Sequence, residues 1–168
     1  MLIKHRAFSL VEVLVFTTIL SIFFIGAISV VTVSIRNMKF NENKIIALHY
    51  AKQLENWLRV EKRIDWGGNQ CSGNCCNTTC NFTERITQDG SSTLFCFNQS
   101  PISDWPSASL LGCNDNYSLE SRFLREVKFT SSLIGGFIAQ VDVVITVSWL
   151  ELGKVQKVTT NAVFSTLE

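Results

Sequence analysis

The feature that most constrains this chain is an apolar run from Val13 to Ile35, preceded by Lys4, His5 and Arg6 and broken by no ionisable residue between Glu12 and Arg36. Leu, Ile, Val and Phe fill it, and an uncharged helix of more than twenty such residues crosses a hydrocarbon layer about 30 Å thick. A secretory signal peptide differs in two respects, having an apolar core of about 7 to 15 residues and a small-x-small cut. This run is about twice that length, and Ile25 stands two residues before Ala27, where a small residue would be needed. Residues 8–35 therefore read as a membrane segment.

Glu12 is its anomaly. A carboxylate costs about 2.5 to 3.5 kcal/mol at the centre of a bilayer and less near the edge, so an intramembrane acid calls for a partner. A cut between Ala7 and Phe8 would create an α-amine one helical turn from Glu12, within i, i+4 reach. Glu12 would also stand in the first turn, where unpaired backbone N–H groups favour negative charge.

The stretch from Ala7 to Val15, AFSLVEVLV, with a basic leader before it and a long apolar helix after it, resembles the type IV prepilin motif of type IV pilins and type II secretion pseudopilins. The resemblance covers about the first thirty residues. It implies a leader of residues 1–7 removed by a membrane prepilin peptidase at Ala7 and Phe8, and N-methylation of Phe8. It also implies that Glu12 neutralises a neighbouring N-terminus during filament assembly. The sequence departs from the usual pattern in having Ala7 where Gly commonly precedes the cut; alanine is small enough for cleavage, at a slower rate.

Of the 168 residues, those beyond the membrane segment suffice for one domain with a modest core. The net charge of +1 has no basic footprint of the kind nucleic-acid binding shows. Lys4 and Arg6 form the shorter, denser basic flank, which stays cytoplasmic, so the body faces outward, where disulfides persist. All six cysteines, Cys71, Cys75, Cys76, Cys80, Cys96 and Cys113, lie in that outward part. Cys71 with Cys75 and Cys76 with Cys80 loosely satisfy a zinc spacing, but the compartment favours cross-links of open connectivity. Adjacent Cys75 and Cys76 are the least suited to pair.

Ala47, Leu48, Ala51, Leu54, Trp57 and Leu58 recur at helical spacing, so residues 36–64 continue the helix as an amphipathic segment. Asn43, Lys44, Lys52, Glu55, Arg59 and Lys62 fall on its other faces. Residues 65–120, rich in Gly, Asn, Ser, Thr and Cys, read as a cross-linked loop region; Thr93 to Asn98 is a short strand candidate within it. Asn-x-Ser/Thr triplets at Asn77, Asn81, Asn98 and Asn116 read as turn residues.

Residues 121–168 alternate with period two. Phe123, Val127 and Phe129 share one side, as do Ala139, Val141, Val143, Ile145, Val147 and Trp149. Val158, Ala162 and Phe164 are in phase on the return, with turns at Gly135, Gly136 and Gly153. This predicts an antiparallel meander covered by the outer half of the long helix. The fold class is α+β, pilin-like, with a cysteine-rich loop between helix and sheet. No cysteine follows Cys113, so the C-terminal disulfide-bounded loop of many major type IV pilins is lacking, which favours a minor subunit or a divergent system.

No phosphate loop, HExxH or nucleophile–base arrangement occurs, so the expectation is a structural protein without cofactor or metal. Its expected partners are sister pilin or pseudopilin subunits, the prepilin peptidase, a membrane assembly platform and, before assembly, the bilayer. The inner membrane is the expected location, and a surface or periplasmic filament the destination. A type II secretion pseudopilin and a membrane-anchored binding module that never polymerises are the alternative readings.

Overall fold

The computed structural model describes residues 9–64, 66, 82–83, 85–86, 92–109, 112–113, 117–134 and 137–165. Helix α1 spans Leu10–Ile64, 55 residues without a break. The chain divides into two compact units, Met1–Glu42 and Asn43–Glu168.

The described part of the first unit is helical from Leu10 onward. Ser9 opens it, its carbonyl accepting from the N–H groups of Glu12 at 3.0 Å and Val13 at 3.3 Å. Every residue from Ser9 to Glu42 is exposed. Several hydroxyls bond back along the helix: Thr17 to the Leu14 carbonyl, Thr18 to Val15, Ser21 to Thr17 and Thr32 to Ile28, all within 3.0 Å. Internal satisfaction of this kind is what a helix needs where water is excluded.

In the second unit α1 continues and presents a buried stripe of Ala47, Tyr50, Ala51, Leu54 and Leu58. Leu48, expected on this stripe, is exposed. Its 100° offset from Ala47 turns it past the contact, and Tyr50 fills the i+3 position instead. Glu55, expected on a solvated face, is buried beside Leu54.

The stripe packs on one face of a five-stranded antiparallel sheet of order β2-β1-β3-β4-β5. The strands are β1 Ser92–Cys96, β2 Ala108–Ser109, β3 Phe123–Ile134, β4 Phe137–Glu151 and β5 Lys154–Ser165. The last three form the expected meander, and β1 adds to the free side of β3. Phe123, Val127, Phe129, Val141, Val143, Ile145, Val147, Trp149, Ala162 and Phe164 point to the helix side and are buried, while Val158 is partly buried against them. An aromatic group closes one part of the core, with Phe82 between Trp66 and Trp105 and with Trp57 and Phe97 against Trp105.

The alternation expected through Ala139 does not hold. Ser132 pairs with Gln140 but Leu133 pairs with Ile138, leaving Ala139 as the extra residue of a β-bulge. The bulge flips the parity, so Ile138 is buried and Ala139 is only half-buried. The expected turn at Gly135 and Gly136 lies outside the described residues.

The β4–β5 connection is a two-residue turn in which Leu152 (φ 51°) and Gly153 (φ 74°) are both left-handed, as in a type I′ hairpin. For a leucine this conformation costs roughly 1–2 kcal/mol.

Candidate functional site

Two groups of residues stand out, one in each unit. In the first, Glu12 occupies the first turn of α1 and is exposed along with the apolar side chains around it. The most apolar 18-residue window of the helix has a mean hydropathy of 2.5 and is uncovered on every side. From Leu10 to Ile35 the helix rises about 38 Å at 1.5 Å per residue, more than a hydrocarbon core requires. The helix is thus long and apolar enough to cross a membrane.

Ser9 and Glu12 have the S-x-x-E spacing of a capping box. The partner suggested by the sequence, an amine at Phe8, lies outside the described residues, as do Ala7, Cys71, Cys75, Cys76 and Cys80. Of the six cysteines, Cys96 and Cys113 are described, and they form a disulfide with Cα atoms 5.5 Å apart. It joins the end of β1 to the loop after β2.

In the second unit the polar centre is Arg125, which sequence reasoning passed over. It lies on β3 at the same parity as Phe123 and Val127, and it is fully buried. Nε donates to the Phe97 carbonyl at 2.7 Å, Nη2 to the Gln99 carbonyl at 2.8 Å, and Nη1 to the Tyr50 carbonyl at 3.0 Å and Gln53 Oε1 at 3.3 Å. Its backbone N–H donates to Asn98 Oδ1 at 2.8 Å. Burial pulls the guanidinium down to about 10, partly opposed by the nearby Tyr50 phenol. The Tyr50 phenol is pushed up to about 12, by burial first and then by its hydrogen bond to Glu120.

The one sequence signal for Arg125 was a cation in phase with an apolar strand face. Its bonds are to carbonyls and amides, and they staple helix, strand and the 97–99 loop together. They do not prepare a nucleophile or a base.

Glu55 forms ion pairs with Lys52 at 2.7 Å and Arg59 at 3.0 Å. Burial alone would raise its carboxyl, but the hydrogen bonds and charges of those two cations outweigh it and hold the group below the usual range. His49 is exposed. Among the described residues no three His, Cys, Asp or Glu side chains come together as a metal site would need. An open cavity of about 450 Å³ is lined by Asn98, Gln99, Ile102, Asp104 and Trp105, among others.

Compared with protein-family models, curated proteins and solved structures, the chain shows no match in any of the three.

Proposed function

We propose that this chain is a pilin-like subunit, of the minor kind, that is processed by a prepilin peptidase at Ala7 and Phe8 and assembles into a type IV pilus or related filament through α1. Its role is structural, and its partners are sister subunits, the peptidase, the assembly platform and, beforehand, the bilayer. The observation that carries the reading is Glu12: a single carboxylate in the first turn of a helix whose next twenty-odd residues are uncharged and bare.

Cleavage creates a charged amine, and both charges are costly in lipid unless paired. A subunit docking beneath another satisfies them mutually while the helices from Val13 to Val33 bury one another. The Cys96–Cys113 bond fits a body facing an oxidising compartment, outside the inner membrane.

Mass analysis of the N-terminus in the native host tests the first step. The expected species begins at N-methylated Phe8, and an intact Met1 on the mature chain overturns the reading. The Glu12→Leu variant should still be cleaved but should be depleted from sheared filaments; equal incorporation removes the role given to Glu12.

A further inference from the structure

Two cavities of the second unit, of about 450 and 490 Å³, share Asn98, Gln99 and Ser118 in their walls and so form one cleft beside the 97–99 loop. Each falls within the size range of small-molecule sites, about 300–1,000 Å³. Asp104 and Trp105 line the first part and Glu120 the second. Among the described lining residues there is no lysine or arginine.

The rim of this cleft is firmly held. Arg125, fully buried, clamps three consecutive residues: its side chain donates to the carbonyls of Phe97 at 2.7 Å and Gln99 at 2.8 Å, and its main-chain N–H to Asn98 Oδ1 at 2.8 Å. Cys96, the residue before them, is cross-linked to Cys113. In the turn at 118–121, Glu120 (φ 49°) and Ser121 (φ 58°) are both left-handed, a strained state that persists only where the surroundings enforce it and that clusters at ligand sites. A rim fixed beforehand lowers the ordering cost of binding.

The side chains so placed keep hydrogen-bonding capacity. Among the described residues, Asn98 engages only its Oδ1 and keeps the two Nδ2 donors, while Gln99 is clamped by its main chain and leaves its amide exposed. Ser118 and Asp104 are exposed as well. Glu120 accepts from the Tyr50 phenol, and a carboxylate keeps further acceptor sites. Trp105 commits its one donor to Glu61 Oε2 at 3.1 Å, so it offers the cleft carbon alone.

Amides that donate, carboxylates that accept, a hydroxyl that does both and an apolar wall match a polyhydroxylated ring, which carries hydroxyls at its edge and C–H groups on its face. Two carboxylates with no base beside them repel phosphates and acidic sugars. An ammonium would satisfy the carboxylates and leave the amide donors of Asn98 and Gln99 unpaired.

We propose that this cleft binds a neutral saccharide, with its hydroxyls at Asn98, Gln99, Ser118, Asp104 and Glu120 and a C–H face against Trp105. The site stands on the second unit alone and does not depend on whether the chain polymerises.

The test presents the full-length chain to a panel of immobilised neutral oligosaccharides, with sialylated glycans and oligolysine as charged probes. Dodecylphosphocholine keeps the chain in solution, since a sugar-headed detergent would compete. Binding to a neutral oligosaccharide is expected, with none to either charged probe. The double variant Gln99→Ala, Asp104→Ala should bind about tenfold or more weakly at an unchanged thermal midpoint, because both side chains are exposed and the fold uses only the Gln99 main chain. Lys157→Ala on β5, which two strands separate from β1, should bind as the wild type does. Should the double variant melt lower, Gln99→Ala alone decides by the same criterion. No binding to any neutral oligosaccharide, binding confined to the charged probes, or undiminished binding by the variant overturns the proposal.

Discussion

Arg125 on β3 and Tyr50 on α1 are 75 positions apart in sequence, yet Arg125 Nη1 donates to the Tyr50 main-chain oxygen at 3.0 Å. A helical carbonyl is normally satisfied inside its own helix, so this one accepts a second, charged donor. The bond fixes the rotation of the helix stripe over the sheet, because a turn of the helix in either direction would carry the carbonyl away from the fork. The same guanidinium holds the carbonyls of Phe97 and Gln99.

Removing that cation takes the donor from the buried Phe97 carbonyl, the second donor from the Tyr50 carbonyl and the donor from the Gln99 carbonyl, and a hydrogen bond to a charged group is worth about 1–3 kcal/mol. Arg125→Met should therefore destabilise the body by about 3 to 5 kcal/mol. Arg125→Lys should recover little of this, since an ammonium lacks the planar fork. Urea unfolding of the detergent-solubilised chain, followed by tryptophan fluorescence, measures both variants.

Glu55 predicts a response to acid. Its carboxyl is held below its unfolded value of 4.5, so its stabilising share is fully present above that pH and is lost as the pH falls through the lower folded value. Between neutral pH and about pH 3 the wild-type urea midpoint should decline more steeply than that of Glu55→Gln, which lacks the titrating group. Parallel curves would show that the pairs with Lys52 and Arg59 contribute nothing.

The Cys96–Cys113 bond closes a loop across a separation of 17 residues, for which chain entropy gives about 3 kcal/mol. The double variant Cys96→Ser, Cys113→Ser should unfold at a correspondingly lower urea concentration. Adding a reductant should shift the wild type much further than it shifts this variant.

Leu152→Asn replaces a strained leucine with a residue suited to the left-handed region. The body should gain about 1 kcal/mol, read as a higher thermal midpoint in detergent. A loss of stability would mean that Leu152 has contacts in the body that offset its strain.

The broad plan was legible in the sequence because it depends on period and length. The helix predicted from Phe8 to about Ile64 is observed as Leu10–Ile64, and the run of alternating valines before Trp149 lies in β4 with its alternate residues buried. What escaped depends on contacts between distant segments. Ala139 reads as one more inward residue until its pairing reveals the bulge, and nothing in the sequence marks the extra position, since alanine tolerates either environment. Arg125 draws no notice in the sequence, and only the structure shows three carbonyls, from positions 50, 97 and 99, converging on it. Glu55 reads as surface because only its neighbours Lys52 and Arg59 make its burial tolerable. Glu12 was visible as an anomaly from the start, since charge in an apolar run needs no tertiary context to be noticed.

The three long strands of the sheet that covers the stripe from Ala47 to Leu58 begin at Phe123, so the first part of the body to leave the ribosome is completed by the last. At about 5–20 residues per second, the 75 positions from Tyr50 to Arg125 take about 4 to 15 s to synthesise. Throughout that interval the nascent chain carries a greasy ridge whose three long covering strands are not yet made. Recombinant yield will accordingly depend on translation speed and on the supply of holdase chaperones, even for variants whose finished body is fully stable.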